Sequence, residues 1–217
     1  MNFFEQVKKP AGVQGVIMAR RMNQHHRGMM DWALDHMDLS GVRRMLDLGC
    51  GGGGPLSQLS ARVQGTDFVA LDLSRDMLRM TGKVNRRLRE QGRLERVRGS
   101  VTALPFADGT FDAVLACETS YFWPDLGKNL MECRRVLSDD GRIFLVQETW
   151  DAPQWKDRNK SWEKGFNMTF HSLEGYRDLL LNAGFREVRT HTEERKGWFV
   201  MEAGGRGIYS CEPNYQY

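Results

Sequence analysis

Met45-Leu46-Asp47-Leu48-Gly49-Cys50-Gly51-Gly52-Gly53-Gly54 is the stretch on which the fold turns. An apolar run carrying one carboxylate breaks into five glycines within six residues. Met45, Leu46 and Leu48 read as a buried strand. Lacking Cβ atoms, Gly49 to Gly54 can turn tightly, and Pro55 suits the first turn of a helix. Strand, glycine turn and helix start together describe a ligand cradle at the carboxyl edge of a parallel sheet.

Downstream, strand and helix patterns alternate. Strand one covers 43–48, and its helix runs from Gly54 to about Val63. A second strand at 68–73 leads to Ser74, an N-cap for a long helix from Arg75 to about Gln91 that Gly92 ends. A short strand at 96–99 and a continuous apolar strand at 111–117 follow. A helix at 124–137, a turn at Asp139-Asp140-Gly141 and a strand at 142–146 complete the alternation. This order predicts an α/β fold with a parallel sheet, right-handed crossovers and helices on both faces. Beyond a helix at 172–182, two strands at 185–192 and 197–203 are separated only by Glu193-Glu194-Arg195-Lys196. That link is too short for a crossover helix, so the pair must be antiparallel.

Upstream, Val16, Ile17, Met18, Met22, Met29, Met30, Trp32, Ala33, Leu34 and Met37 recur at helical spacing within residues 1–40. Such a helix packs its methionines on the domain, and a Met-rich face also suits a cover over an irregular ligand pocket. The 217 residues read as one domain: a helical cover at 1–40, a cofactor-binding core at 41–148, a lid-like insertion at 149–171, and a helix, hairpin and tail at 172–217. Apolar content of 41% and charged content of 27% are those of a globular protein. No apolar run reaches transmembrane length and the N-terminus has no signal-peptide core, so no membrane partner is expected. Cys50, Cys117, Cys133 and Cys211 are scattered without a CxxC pair, which points to free thiols in a reducing cytoplasm and to no metal site. A net charge of +3 does not by itself imply a nucleic-acid partner.

Gly49-x-Gly51-x-x-Gly54 also fits a dinucleotide loop, with Asp72 near the distance of a ribose-binding acid. Asp47 opposes that reading, because a pyrophosphate would lie close to its carboxylate in a site of low dielectric. A ligand bearing an ammonium and a sulfonium, such as S-adenosylmethionine, makes the same charge favourable. Asp72 suits either ligand, since a carboxylate accepts from both ribose hydroxyls, and it argues against a 2′-phosphate.

Leu46 through Gly53 resembles the first motif of class I S-adenosylmethionine-dependent methyltransferases. Val69-Ala70-Leu71-Asp72-Leu73-Ser74-Arg75-Asp76-Met77-Leu78 is similar to their acidic second motif. The segments 104–112 and 136–142 resemble those leading into the family's fourth and fifth strands. The likeness is greatest to the small-molecule, UbiE-like type-11 branch. It implies a Rossmann-like, mostly parallel seven-stranded sheet closed by a C-terminal antiparallel hairpin. It further implies that Asp47, Gly49, Cys50 and Gly51 line the methionine part of the cofactor, that Asp72 holds the ribose, and that Leu73 and Met77 face the adenine. Where the family has Gly-Asp-Ala, this chain reads Gly99-Ser100-Val101-Thr102-Ala103, so Ser100, Val101 or a backbone group must serve the adenine. Cys117 and Glu118 fall where the family contacts the methionine end.

Methyl transfer is an in-line displacement that needs alignment more than a catalytic side chain. The implied acceptor is a small molecule, aromatic or cationic, held by Tyr121, Trp123, Trp150, His25 and His26. Tyr121 is the first candidate for touching it, and His171, His25 and His26 are base candidates by their ordinary pKa. Two other enzymes compete: an RNA methyltransferase, for which Arg86, Arg87, Arg89, Arg93, Arg96 and Arg98 cluster, and an NAD-dependent dehydrogenase. A degenerate, non-catalytic cofactor-binding protein is a further alternative.

Overall fold

In the computed structural model, which describes residues 12–206, β1 (Arg44–Leu48) lies inside a seven-stranded sheet of order β3-β2-β1-β4-β5-β7-β6. β2 (Asp67–Asp72), β3 (Leu94–Arg98), β4 (Phe111–Cys117) and β5 (Leu137–Gln147) run parallel to it. β6 (Phe185–Glu193) and β7 (Trp198–Arg206) form the antiparallel hairpin, and β7 also pairs antiparallel with β5. The chain winds outward from β1 to β3 and then returns to β4 on the other side of β1. That reversal opens a crevice at the carboxyl ends of the central strands.

Apolar residues alternate between the two faces of the sheet, which is why each central strand reads as an unbroken apolar run. Leu46, Leu48, Val69, Leu71, Val114 and Leu145 pack with Leu130 of α6 (Leu126–Val136) and with Tyr176 and Leu180 of α8 (Leu173–Asn182). Met45, Ala70, Ala113, Leu115 and Phe144 face Met29 and Met30 of α2 (Arg27–Leu34) and Leu56 and Leu59 of α3 (Gly54–Arg62). Among the described residues no helix is long and apolar enough to cross a membrane.

Three expectations need correction. The single helix expected over 75–91 is broken into α4 (Arg75–Val84) and α5 (Arg86–Glu90) at Asn85. The Asn85 amide there donates to the carbonyls of Gly53 and Thr81 at 3.0 and 3.1 Å, so the break clamps the glycine loop. Asp139 to Gly141 do not form a free turn but bulge within β5: Phe111 pairs with Leu137, and Ala113 already pairs with Arg142. The Arg134 guanidinium occupies the bulge, donating to the carbonyls of Leu137, Ser138 and Asp139. The insertion at 149–171 is itself structured. It holds a 3-10 turn (Pro153–Trp155) and α7 (Lys156–Phe166), pinned by Asn159, which donates to the Trp150 carbonyl and accepts from Thr149. Lastly, the N-terminal helical segment is two helices, α1 (Gly12–His25) and α2, meeting at His26. Residues 1–11 of the expected cover, and the tail from 207 on with Cys211, lie outside the described residues.

Candidate functional site

A cavity of about 450 Å³ opens over the carboxyl ends of β1, β2 and β4. Its floor is the glycine loop. Gly49 and Cys50 both donate their amides to the Leu71 carbonyl, at 2.8 and 3.1 Å, and Gly53 donates to Cys50 at 2.9 Å. The Gly51 amide donates to the Asp72 carboxylate at 3.0 Å. These N–H groups are bound within the protein and not gathered toward a phosphate, which separates the loop from an anion cradle. Gly49 has φ +69°, and a Cβ there would collide with the Thr119 side chain. Only glycine allows the turn to press this closely on β4.

At the β2 side of the cavity, Asp72 also accepts from the Ser74 amide at 2.7 Å, which fixes the carboxylate at the start of α4. Leu73, Met77, Ser100 and Val101 share that wall. Ser100 is itself fixed by bonds from the Thr102 amide and hydroxyl at 3.2 and 2.9 Å. A carboxylate is the acceptor type that a sugar diol requires, and the two backbone bonds hold this one in the cavity wall.

Asp47 does not line the cavity but lies one layer beneath it, 2% exposed, with its Oδ2 buried and unpartnered. Burial, aided by repulsion from Asp72, raises its carboxyl to about 7. An unpaired buried carboxylate is compensated by a cation above it and made worse by an anion. Together, the orphaned Asp47 oxygen, the Cβ-free loop and the Asp72 carboxylate in the wall fit a nucleoside ligand with a cationic amino-acid end.

The β4 side of the cavity is built differently. Glu118, just beyond β4, adopts φ 55° and turns its carboxylate inward. Tyr121 donates its hydroxyl to Glu118 Oε2 at 2.8 Å, and the Glu148 amide donates to Oε1 at 2.6 Å. His26, from the junction of α1 and α2, brings Nε2 to 3.7 Å from Glu118 and 3.8 Å from Glu148. Burial pushes the Glu118 carboxyl up, against the opposing influence of His26. Burial works against charge on His26, yet contact with Glu148 and the fields of both acids hold its pKa above the ordinary value.

Gly49, Cys50, Gly51, Asp72, Leu73, Met77, Ser100, Val101, Cys117, Glu118, Tyr121, Trp123 and His26 therefore meet at one cavity. His25 is not in its wall; its Nε2 lies 3.0 Å from Glu148, and its ring stands edge to face with that of His26, which is. Trp150 and His171, expected at the acceptor, are not brought there. Trp150 is buried edge-on against Trp155 and Phe199. His171 packs edge-on against Tyr176, and burial lowers its pKa. The chain leaving β5 turns toward α8, which carries both side chains away from the crevice.

Asn23, Asn167 and Thr169 also line the cavity, and Glu148 braces it; none of the four is singled out by the sequence. Asn23 donates to the Gly52 carbonyl at 3.1 Å, and the Thr169 amide donates to Tyr121 at 2.9 Å. Glu148 was the most legible of these. Cys117 pairs with Val146, so the acids following the two strand tips are neighbours in space.

A family profile described as a methyltransferase domain matches residues 46–145. The ubiquinone/menaquinone biosynthesis C-methyltransferase UbiE of an Enterobacter species is 31% identical over 80% of this chain and 71% of its own length. A phthiotriol/phenolphthiotriol dimycocerosates methyltransferase of Mycobacterium ulcerans is 36% identical over 57% of this chain, which spans only 44% of that relative. Among solved structures, the complex between the Haloferax volcanii Trm112 methyltransferase activator and the putative methyltransferase contains a similar chain. It has TM-score 0.75 and 20% identity, over 88% of this chain and 94% of that one.

Proposed function

The chain belongs to the class I S-adenosylmethionine-dependent methyltransferases, and on that premise we propose that it methylates a small-molecule acceptor by in-line displacement. When bound, the cofactor supplies an electrophilic methyl group on a sulfonium. Asp72 accepts the ribose hydroxyls, Leu73, Met77, Ser100 and Val101 flank the adenine, and the buried charge of Asp47 favours the cationic amino-acid end. One observation carries this reading above the rest. The tips of β2 and β4 are two strand spacings apart, roughly 10 Å, and a single cavity reaches from Asp72 at the end of β2 to Glu118 and Tyr121 beyond β4. A nucleoside at one side thus leaves room at the other for a second reactant.

On the acceptor side, Tyr121 and Trp123 offer aromatic faces to a planar or cationic molecule. Tyr121 holds its place because Glu118 accepts its hydroxyl bond and Thr169 binds its carbonyl. Alignment supplies much of the acceleration, and a base is needed only where the acceptor must lose a proton early. Residues 149–171 act as a cover through Asn167 and Thr169, and α1 covers the other side through Met22 and Asn23. Buried free thiols at Cys50, Cys117 and Cys133 support a cytoplasmic setting.

The arginine cluster favours a small acceptor over RNA. Arg86 pairs with Glu90 at 2.6 Å, and Arg93, Arg96 and Arg98 donate to backbone carbonyls of Thr66, Leu78 and Leu73. Those cations serve the fold and do not form a bare phosphate-binding stripe. Calorimetry with S-adenosylhomocysteine and NAD, followed by labelled-methyl transfer to metabolite pools, tests the whole reading. Binding of S-adenosylhomocysteine and label in a small molecule is expected; binding of NAD alone, or label only in RNA, would sink it.

A further inference from the structure

His25, His26 and Glu148 form a cluster that the cofactor site does not use. One nitrogen from each imidazole and one carboxylate oxygen lie within 4.8 Å of one another. Glu148 meets the two imidazoles through different oxygens: Oε2 is 3.0 Å from His25 Nε2, and Oε1 is 3.8 Å from His26 Nε2. Successive residues of a regular helix point about 100° apart. Here the helical segment is interrupted at His26, and the two rings stand 5.2 Å apart, edge to face. Behind them, Glu118 sets a second carboxylate 3.7 Å from His26, itself fixed by Tyr121 and the Glu148 amide.

We propose that His25, His26 and Glu148 bind a divalent transition ion, of which zinc is the type, at the margin of the cofactor cavity. Ligand atoms roughly 2.1 Å from a shared ion lie about 3.0–3.4 Å from each other. The His25 to Glu148 separation already meets this; the His26 contact to the other Glu148 oxygen must close by roughly half an ångström, and the cluster as a whole must contract from its 4.8 Å spread. Two imidazoles and a carboxylate form a nitrogen-rich set that suits zinc, iron, nickel or copper rather than calcium or magnesium. Glu148 and Glu118 both face His26 closely, so a cation bound in place of its proton would still meet two carboxylates. Glu118 and its bonded neighbours brace the ligands from behind, as outer-shell partners do at built metal sites.

Three protein ligands leave coordination positions open, and His26 stands in the cavity wall. An oxygen or nitrogen of the acceptor can take such a position, which would steer it toward the transfer path; this role rests on the methyl-transfer reading, whereas the ion site itself does not.

The test is zinc titration of the full chain, stripped with chelator, by calorimetry, with cobalt(II) absorption as a spectroscopic check. One ion per chain is expected, with proton release as the ligands deprotonate, and tetrahedral-type cobalt bands. His25→Ala and Glu148→Gln should each weaken zinc by at least about tenfold, since losing even an outer-shell partner costs that much. The His25 side chain is 68% exposed, so its variant folds, and thermal melting with S-adenosylhomocysteine titration verifies this. Zinc binding that neither variant changes, or no stoichiometric binding with the cluster holding only a proton, would overturn the proposal. Failure of S-adenosylhomocysteine to bind the unsubstituted chain would instead overturn the methyltransferase reading and leave the zinc result standing.

Discussion

The Asp72 carboxylate and the Gly51 amide are joined by a 3.0 Å hydrogen bond that ties the tip of β2 to the glycine loop after β1. The expected ribose ligand is thus also a strut of the loop that cradles the ligand. From sequence, Asp72→Ala is expected to cost affinity and little stability, as befits an exposed acid. With backbone bonds from Gly51 and Ser74, it should also lower stability by about 1–3 kcal/mol. Urea unfolding and S-adenosylhomocysteine calorimetry should both register the change. Lost affinity at unchanged stability would show that the strut contributes nothing.

Asp47 gives a pH dependence of definite sign. Its folded pKa of about 7 lies above the ordinary 3.8, so between those values the unfolded chain holds fewer protons. The stability tied to protonated Asp47 is fully present below about pH 4 and is lost as pH rises through 7, by at most roughly 4 kcal/mol. Asp47→Asn should therefore match the parent chain near pH 4 and exceed it near pH 8 in urea unfolding, while binding S-adenosylhomocysteine more weakly. A stability gap equal at both pH values would remove the proposed burden of the buried charge.

A cationic ligand above Asp47 should draw it into its ionised form. Binding of S-adenosylmethionine is expected to tighten as pH rises from about 5 to 8 and to release protons near pH 6. Calorimetry in buffers of different ionisation enthalpy measures that release, and a heat independent of buffer would contradict it.

Two glycines of the loop should respond differently to a methyl group. Both Gly49 and Gly51 have positive φ, so alanine at either carries about 1–2 kcal/mol of backbone strain. At Gly49 the added Cβ also strikes Thr119, whereas at Gly51 nothing stands closer than 3.9 Å. Gly49→Ala should melt well below Gly51→Ala, and Gly51→Ala should lose mainly cofactor affinity. Equal melting temperatures would contradict the close approach to β4.

Tyr121→Phe removes the hydroxyl bonded to the buried Glu118 carboxylate. A loss of about 1–3 kcal/mol is expected, with acceptor turnover falling and S-adenosylhomocysteine affinity nearly kept. Cofactor affinity falling as steeply as turnover would move Tyr121 to the cofactor side.

The meeting of the glycine loop and Asp72 at one cavity was legible because its parts are local. Asp47, Gly49, Cys50 and Gly51 sit within five residues, and Asp72 ends the next strand, so strand order alone brings them together. The other side of the cavity was less legible because its lining comes from α1, the segment after β4 and the segment after α7. Trp150 and His171 carry suitable chemistry, but Trp150 is buried against Phe199 and half-buried His171 packs against Tyr176. Asn85 and Arg134 were invisible for another reason. Each settles backbone carbonyls of a neighbouring element, a demand that exists only once the elements are packed.

By itself the sequence determined that the chain is an α/β protein whose glycine loop serves a cationic nucleoside ligand. Apolar periodicity, the short link between β6 and β7, and a carboxylate placed just before glycines act over a few residues and need no partner to be read. Only the tertiary structure decided that Asp47 lies beneath the cavity with an orphaned oxygen, and that His25, His26, Glu118 and Glu148 meet at its margin. Those relations depend on α1 and α2 packing beside the tips of β4 and β5 and on the register that places Cys117 beside Val146. Both are set by packing across the sheet and not by any local run of residues.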